Sequence, residues 1–205
     1  MSNVGICLAG NVDFDLNKFS KDNNITKWIA ADGGYDTLIS YNITPDLLIG
    51  DLDSIKDVNS TIETIKTNVM KDNTDGKDAL EYVKASFNYD TIYLVGIIAS
   101  ERLEHFWANI KMIEDNVIGH TKYNIIYTLK PGVHTIKNDQ YDYISFFAKR
   151  DISSLTIKDS LYEIENYKLD VNNTVGISNE FKDNKNIISS VCRDADNPAS
   201  NSFKL

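Results

Sequence analysis

Two cysteines, three histidines and a deficit of positive charge set the first limits on this 205-residue chain. Cys7 and Cys192 lie in separate apolar runs at opposite ends of the sequence, which, in a chain without an export signal, argues against the disulfide framework of small exported domains. Both read as buried thiols. His105, His120 and His134 have no metal-ligand spacing and are assigned structural roles. His105 falls on an apolar helix face beside Phe106 and Trp107 and reads as a core histidine, whereas His120 and His134 look exposed. With 21 Lys and Arg against 30 Asp and Glu, the net charge of -9 leaves no basic stripe for nucleic-acid phosphates. An acidic surface still admits nucleoside triphosphates, because a metal ion reverses the local charge, and it welcomes organic cations. No apolar run approaches the roughly 18 residues of a membrane helix. The N-terminus lacks the basic start and the long apolar stretch of a signal peptide. A cytoplasmic protein without membrane or nucleic-acid partners is expected.

What is present is an ordinary globular composition, 42% apolar and 25% charged, without internal repeats or low-complexity tracts. The first part alternates short β-rich runs with helix-like stretches, the signature of βαβ units around a mostly parallel sheet. Strands are expected at Val4 to Leu8, Lys27 to Ala31, Asp46 to Ile49 and Thr91 to Gly96. Helices are expected at Tyr35 to Tyr41, Asp75 to Phe87 and Arg102 to Asn116, the last with Leu103, Phe106, Trp107, Ile110 and Ile113 at helical spacing. From Lys122 the pattern becomes all-β. "KYNIIYTLKPGVHTI" places two β-rich runs around Lys-Pro-Gly, a hairpin signal, and "YDYISFFAK", "SLTIKDS", "YKLDV" and "NIISSV" follow as short strands. The expected architecture is an α/β domain with a Rossmann-like sheet over residues 1–120, then an all-β domain of sandwich or barrel type over 121–205, with the boundary near Val117 to Lys122. The polar tail "RDADNPASNSFKL" reads as loose.

Acids recur where the first domain's strands end and its helices begin. Asp32 follows the second strand in "AADGGYD", with Gly33 and Gly34 allowing close backbone approach. Asp51 and Asp53 follow the third in "IGDLDS", and Asp75 opens a helix in "KDNTDGKDAL", just after Lys71, Asp72 and Thr74. Ligands of open α/β sheets bind outside the carboxyl ends of the strands, so these loops can share one crevice. Their oxygens suit Mg²⁺ beside a phosphate. Taken singly, Asp-Gly-Gly is a turn, Asp-x-Asp a turn or cap, and "NTD" an N-terminal cap through Thr74 or Asp75. The conjunction shifts the balance toward a site.

"ADGGYDTLISYNITPDLLIGDLDSI" followed by "KDNTDGKDALEY" resembles the thiamine pyrophosphokinase family, with its Ala-Asp-Gly-Gly, Pro-Asp, Gly-Asp-Phe-Asp-Ser and Thr-Asp motifs in that order. "ERLEHFWANI" is similar to the family's Gly-Gly-Arg-x-Asp-His segment, and "GISNEF" to its C-terminal Ser-Asn motif. The resemblance implies diphosphate transfer from ATP to the hydroxyethyl oxygen of thiamine, giving thiamine diphosphate and AMP. It implies Mg²⁺ on Asp32, Asp51, Asp53 and Asp75, with Asp51 or Asp53 also available to accept the hydroxyl proton. Gly33, Gly34, Lys71, Thr74 and Arg102 would approach the phosphates, Lys71 and Arg102 having the alternatives of a solvated lysine and a surface ion pair. It further implies an ATP- and Mg-binding catalytic first domain and a second domain that binds thiamine and dimerises. Ser178 would bond the aminopyrimidine, beside Asn179, in a homodimer whose active site lies at the subunit interface.

The chain departs from the family pattern at Ser100 and Glu101, which replace a glycine pair, at Glu104, which replaces aspartate, and at Asn11, where a second glycine is common. It also lacks an obvious apolar closing strand. Two alternatives stand beside the main reading. One is a nucleotide or thiamine sensor that has lost catalysis through the Ser100 to Glu104 changes. The other is a haloacid dehalogenase-like phosphatase with Asp51 as nucleophile, which would need this motif on its first strand.

Overall fold

The structure is a computed structural model that describes residues 2–52, 55, 59–67, 72–99, 101–137, 141–183, 185–192 and 202–204, with Cys192 and 202–204 given as backbone only. The chain divides into two compact units, Met1–Lys122 and Tyr123–Leu205. Among the described residues no helix is long and apolar enough to cross a membrane.

In the first unit the elements run β1 (Asn3–Cys7), α1 (Leu16–Asp22), β2 (Ile25–Ala31), α2 (Gly34–Ser40), β3 (Leu47–Gly50), β4 (Glu63–Lys66), α3 (Asp75–Ser86), β5 (Ile92–Val95), α4 (Leu103–Lys111) and β6 (Val117–His120). The six strands are parallel in the order β6-β5-β1-β2-β3-β4. A parallel sheet is covered on both faces, so its central strands are continuously apolar. β3 shows this directly, with all four of its residues buried. Cys7, Trp28, Ala30, Leu48 and Val95 form one core with Leu16 and Phe19 of α1 and Tyr35 and Leu38 of α2. Strand side chains alternate between faces, so the buried Ile6, Ile29 and Leu94 point the other way, toward the side covered by Ala79, Leu80 and Val83 of α3.

The expected strands and helices are present with ends shifted by a few residues. α1, β4 and β6 carry weak sequence signals: α1 is only seven residues, and β4 reads Glu-Thr-Ile-Lys with no buried side chain. Residues 117–120, placed at the boundary, form the strand β6 instead. α4 stops at Lys111, short of the expected Asn116, because Met112 and Ile113 turn inward and are buried before β6 begins. Its helical apolar pattern is also not all core. Ile110 is buried, but Leu103 is 78% and Trp107 61% exposed. His105 is half-buried rather than enclosed. His120, expected at the surface, meets Phe14 edge to face and Phe19 at a tilt, at ring distances of 5.1 and 4.4 Å.

The second unit contains β7 (Ile125–Leu129), β8 (Gly132–Ile136), β9 (Tyr143–Ile144), β10 (Phe146–Ala148), β11 (Ile152–Lys158), β12 (Ile164–Leu169), β13 (Asn179–Glu180), β14 (Ile187–Cys192) and β15 (Ser202–Lys204). Its pairings are antiparallel. β12-β11-β14-β8 make one sheet, β15 lies between β10 and β7, and β13 pairs with β9. Leu129, Phe146, Ile152, Leu155, Ile157, Leu169, Ile187 and Val191 share one core between these layers, as in a sandwich. β7 and β8 do not form the expected hairpin. Lys130 and Pro131 instead carry the chain from the β15 pairing to the β14 pairing, into Gly132 at φ +140°. Of the tail expected to be loose, residues 202–204 form the strand β15, and residues 193–201 and 205 lie outside the described residues.

Candidate active site

The carboxyl edge of the first unit's sheet is assembled by backbone contacts among neighbouring strand ends. Ala31 and Ile49 are register partners in β2 and β3, so Asp32 and Asp51 leave the sheet on adjacent strands. Asp32 takes φ +49°, donates its N–H to the Ile49 carbonyl at 2.9 Å and accepts from Tyr35 N–H at 2.9 Å. A non-glycine residue in this left-handed region is uncommon and costs on the order of 1 kcal/mol. The turn therefore holds Asp32 in a conformation that the chain alone disfavours. Gly50 permits the close contact, since a Cβ there would lie 3.1 Å from Asp32 Cα. Leu52, just beyond Asp51, is also left-handed at φ +70°.

Gly34 starts α2 directly against the Cys7 carbonyl, leaving no space for a side chain, and a Cβ at Gly33 would lie 3.3 Å from the Ala9 Cβ. The Asp-Gly-Gly turn thus sets β1, β2 and α2 edge to edge. Burial pushes the Cys7 thiol up to about 12, so it serves the core as a neutral group.

Asp75 is the first residue of α3. Thr74 caps the helix, its hydroxyl accepting from Lys77 N–H at 3.2 Å, which resolves the choice between Thr74 and Asp75. The Asp75 carboxylate is held from another strand: Thr67 Oγ1 donates to its Oδ1 at 2.9 Å, while Thr67 N–H donates to the Gly50 carbonyl at 3.0 Å. The structure thus links the ends of β2, β3 and β4 to the start of α3, bringing together the backbones that carry Asp32, Asp51 and Asp75. Thr67 was not legible as a site residue, because nothing marks a threonine after a polar, exposed strand. Asp53, Lys71 and Ser100 lie outside the described residues.

Arg102 stands at the start of α4, two strands further along the edge, where β1 and β5 are joined by Gly10 N–H to Gly96 O and Asn11 N–H to Ile98 O, both 3.0 Å. It is exposed and pairs with Glu104, Nε to Oε1 at 3.0 Å. The Glu104 carboxyl is held below its ordinary range by its own backbone N–H, then by Arg102. The substituted acid therefore occupies one edge of the guanidinium fork.

Asp32, Asp51 and Asp75 supply only hard carboxylate oxygens, a donor set that fits Mg²⁺. Among the described residues no three His, Cys, Asp or Glu side chains form a group able to hold an ion by themselves.

In the second unit Ser178 is exposed at φ +55°, with its N–H donating to Ser145 Oγ at 3.0 Å. Asn179 beside it is buried and bonded throughout: Oδ1 accepts from Tyr162 and Glu180 N–H, and Nδ2 donates to Ser160 Oγ and Tyr162 O. Asn179 anchors the turn that presents Ser178.

The profile of the thiamin pyrophosphokinase catalytic domain matches residues 20–127, and that of the family's vitamin B1 binding domain matches 133–191. The chain is 29% identical over 197 residues to the thiamine pyrophosphokinase of Bacillus subtilis, covering 88% of this chain and 90% of that protein. The crystal structure of a Bacillus subtilis thiamine pyrophosphokinase superposes with a TM-score of 0.82 at 26% identity, over 98% of this chain and 97% of that one. The enzyme from Geobacillus thermodenitrificans has the same fold, with a TM-score of 0.81 at 20% identity over 100% and 96% of the two chains. The acidic motif follows the third of the first unit's parallel strands, whereas the phosphatase reading requires it after the first. The catalytic-domain match spans over half the sequence and is followed in order by the vitamin-binding match, so this chain belongs to the thiamin pyrophosphokinase family.

Proposed function

We propose that the acidic loops at the carboxyl edge of the first unit bind ATP through Mg²⁺, and that the diphosphate passes to the hydroxyethyl oxygen of thiamine with release of AMP. As an enzyme of its family the chain forms thiamine diphosphate from thiamine. The observation that carries the finer reading is the linkage of Asp32, Asp51 and Asp75 through Ile49, Gly50 and Thr67. Asp32, Asp51, Asp53 and Asp75 would hold Mg²⁺. Bound there, the ion would neutralise charge on the phosphate oxygens during the displacement.

The remaining work belongs to the chain's own residues. Gly33 lets the phosphates approach the backbone, Gly34 seats α2 against β1 behind it, and the N–H groups at the start of α3 favour anionic groups. Lys71, Thr74 and Arg102 contact the phosphates, Arg102 through the guanidinium nitrogens that Glu104 does not occupy. Ser178 accepts or donates a hydrogen bond at the aminopyrimidine, in a geometry set by Asn179. The thiamine oxygen forms its bond to the β-phosphorus as the bond to the α,β-bridging oxygen breaks. AMP leaves with that oxygen, and the hydroxyl proton goes to Asp51 or Asp53. The working enzyme is a cytoplasmic homodimer with thiamine at the subunit interface.

The test is incubation of purified protein with ATP, Mg²⁺ and thiamine, followed by chromatographic separation. AMP and thiamine diphosphate in equal amounts are expected. Unchanged ATP with thiamine still bound would replace this reading with the sensor.

A further inference from the structure

Thr67 contacts two of the acidic loops at once. Its N–H meets the carbonyl of Gly50, the residue before Asp51, and its hydroxyl meets the Asp75 carboxylate eight residues further along the chain. Helix capping does not explain the second bond, because Thr74 already caps α3. The hydroxyl reaches the Asp75 side chain from outside its own helix.

We infer that Thr67 is a positioning residue for the reaction: it holds the Asp75 carboxylate in place against the end of β3 and thereby sets the affinity for the metal–nucleotide complex. This rests on the reading of Asp75 as a magnesium ligand given above. A hydroxyl takes one of about four lone-pair positions on a carboxylate, so the bond is compatible with ligation through the others. Groups that orient metal-binding carboxylates typically change metal affinity about 10- to 100-fold when removed. The backbone bond to Gly50 survives any side-chain change, so the hydroxyl can be tested separately.

Thr67→Val keeps the β-branched shape and removes the donor, and Thr67→Ser restores it. Calorimetric titration with the magnesium complex of α,β-methylene-ATP reads binding without turnover. The Mg²⁺ concentration for half-maximal AMP formation is the second readout. The valine variant should raise both values about 10- to 100-fold, leave the thiamine KM unchanged, and be reversed by serine. Should the valine variant not fold, Thr67→Ala is read in the same way. A folded valine or alanine variant that binds the complex as wild type does would overturn the inference. Asp75→Asn separates the two claims. If it weakens binding while Thr67→Val does not, only the role of Thr67 fails. If it binds as wild type does, the ligand reading fails and the inference with it.

Discussion

The Asn179 amide and the Tyr162 backbone are bonded in both directions: Nδ2 donates to the Tyr162 carbonyl at 2.7 Å, and Oδ1 accepts from the Tyr162 N–H at 3.0 Å. The same side chain takes Glu180 N–H and reaches Ser160 Oγ. An asparagine that is 1% exposed and bonded in this way joins β13 to the turn before β12. Asn179→Ala would leave several buried polar groups unmet and should cost on the order of 3 kcal/mol. Urea unfolding measures the loss, and the thiamine KM should rise while the ATP KM stays. A variant with wild-type stability would mean that water replaces the amide.

Gly33 and Gly34 are adjacent in sequence and differ in what surrounds them. A side chain at Gly34 collides with the Cys7 carbonyl, which is backbone within a buried strand, whereas one at Gly33 meets only the Ala9 methyl at 3.3 Å. Gly34→Ala should therefore destabilise by roughly 3 kcal/mol, at the upper end of overpacking costs. Gly33→Ala should leave the melting temperature near wild type and raise the ATP KM, because it would fill the approach proposed for the phosphates. Thermal unfolding and KM measured on both variants decide this, and equal destabilisation by the two would refute it.

The acids at strand ends were legible because parallel strands buried on both faces read as unbroken apolar runs, so residues such as Asp32 and Asp51 stand out where the runs stop. β4 was not legible, since its Glu63, Thr64 and Lys66 are exposed at a sheet edge and carry no periodic signal. Thr67 disappeared with it, because its importance depends on a contact with Asp75 that only the tertiary fold creates. The exposure of Leu103 and Trp107 was hidden for the opposite reason: helical spacing shows that residues share a face and does not show whether anything covers it. Asn179 carried a motif resemblance that pointed to a ligand, while its hydrogen bonds point inward to its own domain.

The burial of His120 predicts an acid sensitivity for the first unit. Its Nδ1 is buried without a hydrogen-bond partner among the described residues, its ring lies on Phe14 and Phe19, and burial lowers its pKa from the ordinary 6.5. The folded state therefore favours the neutral ring. That contribution is present above about pH 6.5 and is lost as pH falls through the depressed value, where the unfolded chain binds the proton more readily. His120→Phe keeps the aromatic contact and cannot titrate. Urea melts at pH 7.5 and 5.5 should show a larger loss on acidification for wild type than for the variant. Equal losses would assign the acid sensitivity to the carboxylates instead.

Substitutions at Asp51 and Ser178 test the two substrates of the proposed reaction separately. Asp51 is half-buried at the end of β3, next to the carbonyl that anchors Thr67, and Ser178 is exposed on a left-handed turn of the second unit. Asp51→Asn keeps the shape and a hydrogen-bonding oxygen but removes the charge that would face Mg²⁺. Turnover should fall by at least about 100-fold, the loss typical of removing one electrostatic contact to the reacting groups, with circular dichroism unchanged. In the proposed reaction Ser178→Ala would remove one neutral bond to the vitamin, so the thiamine KM should rise more than the ATP KM. Each variant is assayed for AMP formation against both substrates in turn. If Asp51→Asn and Asp53→Asn both remain active, neither carboxylate carries the metal; if Ser178→Ala raises the ATP KM more, thiamine binds elsewhere.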